Sequence, residues 1–378
     1  MIYILYSDDY EVFMGGNYLP EKAVLVETTE RLLSACENVG IPITLFCDLM
    51  CLWRYRELGY NAFPDVVDNQ LKQTIKRGHD VQVHIHPHWL ETEIIFDKKG
   101  GNRYLFEPSI FLLGNWVSES GLTLRDFCIN IFTKAKTYLE DLLYPVRNGY
   151  RCVAFRAGGY GIQPHAKEIL EALYNTQFLI DSSIVPVLIQ KNNVQAINFS
   201  MVLRKGNYFV SPEFGLNQIS KEGIFEIPLL ALRPGEGNWL LAKAFPRGVI
   251  NRFKHGGNKN LGFSALSSNS DVLQIKILSS ILKAIKVIRR GWWCLELQPD
   301  VDLMVDCTRR YIDQYNTSNE DLFFSFSCHS KLTNPTLLDG LKRYHLLLNS
   351  IYGNQLKAIT FQEAARILNG RQNFNLDN

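Results

Sequence analysis

The stretch YILYSDDYE, residues 3–11, begins as an apolar run of aromatic and branched side chains and ends on two adjacent carboxylates, Asp8 and Asp9. Such a run reads as a strand buried on both faces, as in a parallel sheet covered by helices. The same design recurs. PITLFCD (42–48), DVQVHIHP (80–87), CVAFRAGG (152–159) and FLIDSSIV (178–185) read as strands, as do IFEIPLLA (224–231), WCLELQP (293–299) and LFFSFSCH (322–329). Between them lie helical patterns over 21–39, 64–77, 121–143, 164–174, 272–290, 301–314 and 336–351. Strand and helix in alternation imply a parallel sheet with helices on its faces.

Polar residues decide between a barrel and an open doubly wound sheet. Asp8 and Asp9 end the first strand, His84, His86 and His88 the third, Arg156 the fourth and His329 the last, while Asp181 lies in the fifth. A barrel collects the C-terminal ends of its strands around one mouth, where barrel enzymes keep their chemistry. FRAGGYG (155–161) lacks the spacing of a dinucleotide-binding turn, which weakens the open-sheet rival. We therefore expect an α/β fold, a distorted (β/α) barrel of about seven parallel strands, formed as a single domain over residues 1–378. The segment 185–271 breaks the rhythm with basic, glycine-containing loops and reads as an insertion over the mouth.

Composition narrows the function. With 46% apolar and 21% charged residues and a net charge of +2, the chain has a large core and no basic footprint for nucleic acid. It opens on a strand rather than an export signal, and no apolar run approaches the roughly 18 residues of a membrane span, so a cytoplasmic location is expected. The pattern 272–290 reads as an outer barrel helix; its lysines and arginines, with Trp292 and Trp293 behind it, also allow peripheral membrane contact. Cys47 and Cys51 lack a second pair and read as buried thiols.

GHDVQVHIHPHW (78–89) holds four histidines, more than core packing explains. Strand periodicity puts His84 and His86 on one face, and Pro87 throws His88 onto a loop. Two imidazoles and a carboxylate make an open metal site of catalytic type, for zinc or for non-haem iron. Adjacent aspartates point to opposite faces of a strand unless the chain turns between them; a turn would set one as metal ligand and the other facing its water.

Taken in order, these motifs resemble the polysaccharide deacetylase family, carbohydrate esterase family four. The resemblance runs from residue 6 to about residue 330. It implies Asp8 as catalytic base, and Asp9, His84 and His88 as ligands of one divalent metal, zinc foremost, with cobalt, nickel or iron as alternatives. A subset with the His-x-His-Pro pattern suggests His86 in place of His88. Arg156 in FRAGGYG would orient the base, His329 in FSFSCHS (324–330) would be the general acid, and Tyr160 and Asp181 would contact substrate. The chain departs from the family at Tyr10, where glycine is usual, and at Ala157 and Gly158, where two prolines are usual.

The implied activity is metal-dependent hydrolysis of an N-acyl group, chiefly N-acetyl, on an amino sugar of cytoplasmic glycan or surface-polysaccharide biosynthesis. The substrate would be nucleotide- or lipid-linked, and deformylation of a lipid-linked sugar is a variant. The rivals are a non-catalytic carbohydrate- or partner-binding module and a glycosidase using Glu226 and Glu296.

Overall fold

The computed structural model describes residues 1–97, 100–117, 121–186, 188–232, 262–263, 293–316 and 320–372. The first half contains β1 (Ile2–Tyr10), β2 (Gly16–Asn17), α1 (Glu27–Glu37), β3 (Ile43–Asp48), α2 (Leu49–Glu57) and α3 (Ala62–Lys76). There follow β4 (Asp80–Ile85), β5 (Glu93–Ile95), β6 (Arg103–Leu105), α4 (Leu124–Leu143), β7 (Ala154–Ala157) and α5 (Ala166–Asn175). Then come β8 (Ile180–Asp181), β9 (Ile189–Lys191), β10 (Ala196–Asn198), β11 (Tyr208–Ser211), β12 (Gly215–Ser220) and β13 (Ile224–Glu226). The remainder comprises β14 (Ala231–Leu232), β15 (Gly262–Phe263), β16 (Trp293–Cys294), α6 (Val301–Tyr315), β17 (Leu322–Cys328), α7 (Pro335–Tyr352), β18 (Leu356–Ala358) and α8 (Phe361–Gln372).

The main sheet runs β12-β11-β13-β8-β7-β4-β3-β1-β17. Its seven strands from β13 to β17 are parallel. On one edge β1 pairs with β17; on the other, Ile2–Ile4 pair with β18 and Tyr6–Tyr10 with β3. The sheet curls until its ends meet, because Ser325 N–H donates to Pro228 O at 3.2 Å and Leu230 N–H donates to Ser325 O at 3.0 Å. The expected barrel of parallel strands is therefore the fold, curled and irregular at its seam.

The inside of the barrel is layered. Tyr3, Leu5, Phe46, Ala154, Ile180 and Phe323 form an apolar floor against Phe361 of α8. The start of α8 plugs the bottom, with Phe361 N–H donating to Thr44 Oγ1 at 3.3 Å and Gln362 N–H to Asp80 Oδ2 at 3.1 Å. Outside, α1 and α7 cover β1, so strand residues of both parities are buried. Such burial gives strands that read as continuous apolar runs until polarity is wanted at one end.

Two helices escaped the periodic reading: α2, which starts directly on β3, and the floor helix α8. The segment 185–271 supplies β11, β12 and β13 to the main sheet and the separate β9–β10 ribbon. Helix 272–290, Trp292 and the basic loop residues 247–259 lie outside the described residues. Among those described, no helix is long and apolar enough to cross a membrane.

Candidate active site

Period-two alternation divides β1 into two sets of side chains. Tyr6 and Tyr10 face the helices: the Tyr6 hydroxyl lies 3.1 Å from His345 Nδ1 of α7, and Tyr10 donates to Gln70 Oε1 of α3 at 2.6 Å. Ser7 and Asp9 face the interior, where Ser7 Oγ lies 3.1 Å from Ser325 Oγ and Asp9 Oδ1 accepts from Arg156 Nη1 at 2.6 Å. The strand continues unbroken through both aspartates, so Asp8 points out with Tyr6 and Tyr10. Its Oδ1 accepts from Ser330 N–H at 2.5 Å, and its Oδ2 is buried without a partner. Burial pushes the Asp8 carboxyl up to about 7, against the pull of His329 and the Ser330 hydrogen bond.

Arg156 is fully buried and is the hub of the middle layer. Nη1 donates to Asp9, Nε to Ser182 O at 3.1 Å, and Nη2 to Ser182 Oγ at 3.1 Å and Ser325 Oγ at 2.9 Å. The guanidinium also lies over the Phe46 ring, 4.1 Å from its centroid. A buried ion pair is tolerated when its remaining donors are satisfied in this way. Burial alone would raise Asp9, but Arg156 first, then His84 and His329, hold its carboxyl below the ordinary value.

Above this layer three ligand atoms converge. Glu11, His84 and His86 each offer one atom within 4.8 Å of the others, and all three are buried. Glu11 Oε2 lies 2.7 Å from His86 Nε2 and 3.6 Å from His84 Nε2. Those separations bracket the roughly 3.3 Å between neighbouring ligand atoms of a tetrahedral zinc. His84 Nδ1 donates to Arg156 O at 2.9 Å, which leaves the Nε2 lone pair aimed into the cluster. Against burial, the nearby carboxylates of Glu11, Asp9 and Asp48 raise His84. Despite burial, Lys331, His86 and His84 hold Glu11 well below the usual range. The donor set, a carboxylate and two imidazoles, fits a divalent transition metal.

Asp48, at the end of β3, accepts from Trp89 Nε1 at 2.6 Å and keeps a second buried oxygen without a partner. Burial raises its carboxyl, partly offset by His86 and His84. His329, at the end of β17, places Nε2 3.5 Å from Asp9 Oδ2 and 4.0 Å from Glu11 Oε1. Its side chain is 19% exposed, the most open of the group, which puts it on the solvent side.

His88 stands apart from the converging ligand atoms. After Pro87 the chain enters a short helical turn, Pro87–Leu90, and the His88 ring packs among Phe106, Phe111 and Trp89, with ring centroids 4.6, 5.3 and 5.1 Å away. Neither ring nitrogen has a partner, and burial drives its proton affinity well below that of an ordinary histidine. The ring beside the cluster is His86, and the sequence at 158 accommodates it. A Cβ on Gly158 would lie 2.3 Å from His86 Nδ1, so the glycine makes room for that ring.

Asp181 is fully buried, in register with Phe155 and Glu226, on the sheet face opposite Arg156. It accepts from Ser183 Oγ at 2.6 Å, and Glu226 is equally buried beside it. Neither carboxylate hydrogen-bonds to Arg156, whose partners are Asp9, Ser182 and Ser325. Tyr160 is half-buried in the turn Gly158–Tyr160 after β7, with a φ of 62° that a bulky residue seldom adopts. The residues missed from sequence were Glu11, Asp48 and Lys331. Glu11 was within reach, two positions beyond Asp9 and therefore on its face.

No family model matches the chain, and no curated protein matches it. Among solved structures it is similar to Puue allantoinase, at 12% identity and TM-score 0.43 over 99% of this chain and 92% of that one. It is similar to a probable polysaccharide deacetylase from Pseudomonas aeruginosa PAO1, at 11% identity and TM-score 0.42 over 99% and 93%. The catalytic domain of a peptidoglycan N-acetylglucosamine deacetylase from Eubacterium rectale is similar at 9% identity and TM-score 0.31, over 96% and 89%.

Proposed function

We propose that the protein is a metal-dependent hydrolase that removes an N-acyl group, N-acetyl foremost, from an amino sugar. One observation carries the reading: Glu11, His84 and His86 converge beside the Asp9–Arg156 pair and His329. All lie at the C-terminal ends of parallel barrel strands. The sugar assignment rests on the order of the motifs, and a nucleotide- or lipid-linked glycan precursor is the form of substrate we favour.

Glu11, His84 and His86 would hold the ion. A divalent metal bound there supplies Lewis-acid activation of water and of the acyl oxygen. Asp9 is the proton acceptor: Arg156 fixes one oxygen and keeps the carboxylate ionised, while the other faces His329. His329, on the open side, donates the proton to the departing amine, without which the amide would re-form. Asp8 takes no part, because it faces α1 and Ser330 rather than the interior.

Elemental analysis of purified protein, paired with acetate release from N-acetylated amino sugars presented free, nucleotide-linked and lipid-linked, tests this. We expect about one metal per chain, lost in Glu11→Ala, His84→Ala and His86→Ala, and acetate release abolished in Asp9→Asn. Folded wild type that stays empty when offered zinc, cobalt or iron overturns the mechanism and leaves the binding-module reading.

A further inference from the structure

Lys331 is only 6% exposed, an unusual place for an amine. It lies in the short turn Ser330–Leu332 after β17, and its Nζ donates to Glu11 Oε1 at 2.7 Å and to Val12 O at 2.9 Å. Glu11 lies one residue past the end of β1, where the sheet ladder no longer fixes the backbone. Lys331 restores that constraint by tying the side chain of Glu11 and the carbonyl of the next residue to one ammonium. The two Glu11 oxygens therefore have separate partners: Oε1 belongs to Lys331, and Oε2 faces His84 and His86.

Resting on the metal reading above, we propose that Lys331 is a positioning residue that reserves Glu11 Oε1, so that the carboxylate meets the ion through Oε2 alone. The reason is geometric. Carboxylates bind metals through one oxygen or two, and a catalytic centre keeps a position open for water and substrate. A Glu11 free to turn would present both oxygens and fill that position. Lysine is well matched to this role, because its compact ammonium satisfies one carboxylate oxygen and one carbonyl without the forked geometry by which arginine would engage both oxygens.

The test is cobalt substitution of the full chain, followed by visible absorption and by titration with imidazole as an exogenous ligand. Imidazole binds a metal in its neutral form, so at a fixed pH losing the lysine charge does not by itself change its binding. Metal affinity is the poorer readout, because removing a cation beside the ion also relieves repulsion. Lys331→Met should change the cobalt spectrum and weaken imidazole binding about tenfold or more. A Lys331→Met protein whose spectrum matches wild type and whose imidazole affinity lies within about twofold overturns the proposal. Lys331→Gln carries the same test, with the same two outcomes, if the methionine variant does not fold. Wild type that binds no cobalt overturns the metal reading itself, a result distinct from an indifferent variant.

Discussion

Asp8→Asn separates the two aspartates. Asp8 is fully buried, and its carboxyl is raised from 3.8 to about 7. A raised carboxyl means the native state holds its proton more tightly than the unfolded chain, so this group destabilises the fold increasingly as pH rises through that interval. At about 1.4 kcal/mol per pH unit the full effect is about 4 kcal/mol, of which about 3 falls between about pH 4.5 and about pH 8. Asparagine cannot ionise, yet its carbonyl still accepts from Ser330 N–H. Urea unfolding of wild type and Asp8→Asn, with chelator present and across that range, should show the variant gaining about 3 kcal/mol relative to wild type toward alkaline pH. Contributions from other titrating groups are common to both proteins and cancel in the difference. A difference that stays flat with pH would refute the burial argument. Loss of hydrolysis in Asp8→Asn, with Asp9→Asn active, would refute the assignment of faces.

Arg156→Met leaves Asp9 buried without its guanidinium partner, and should lower unfolding stability by about 3–5 kcal/mol in urea. Because the Asp9 carboxyl is held low in the native protein, its contribution is present above the ordinary carboxylate value and fades as pH falls through the lowered one; the loss should therefore shrink in acid. Gly158→Ala would put a Cβ 2.3 Å from His86 Nδ1, so a lower melting temperature, by an amount matching about 1–3 kcal/mol, should accompany weaker cobalt binding. A variant that melts and binds like wild type would contradict the close approach. His88→Phe replaces a buried ring with two unpartnered nitrogens by one with none, and should raise stability by about 1 kcal/mol while leaving metal content intact. Metal loss in His88→Phe would restore His88 as a ligand.

The barrel was legible because strands buried on both faces leave unbroken apolar runs with polar residues confined to one end. His84, Arg156 and His329 stood out for that reason, and the structure brings them to one end of the barrel. What the sequence blurred was local geometry at strand ends. Asp8 and Asp9 could be read as a cooperating pair only if the chain turned between them, and β1 runs straight through. His88 keeps the spacing of a ligand, but Phe106 and Phe111, which surround it, come from a loop some twenty residues later that no local period reveals. Nothing local in the sequence singles out Lys331, since its burial depends on Glu11 at the other end of the chain.

The alternation along β1 also works as a depth gauge. Its interior side chains step from Tyr3 and Leu5 on the floor, through Ser7 in the hydrogen-bonded middle, to Asp9 and then Glu11 at the rim, each step about 6.6 Å. A reacting group can climb or descend this strand only by two residues at a time. Any single-residue shift in β1 would exchange Asp9 and Glu11 for Asp8 and Tyr10, turning a polar cup into a mismatched wall. Carboxylates that β1 itself sends into this mouth must therefore alternate in the chain, never adjoin.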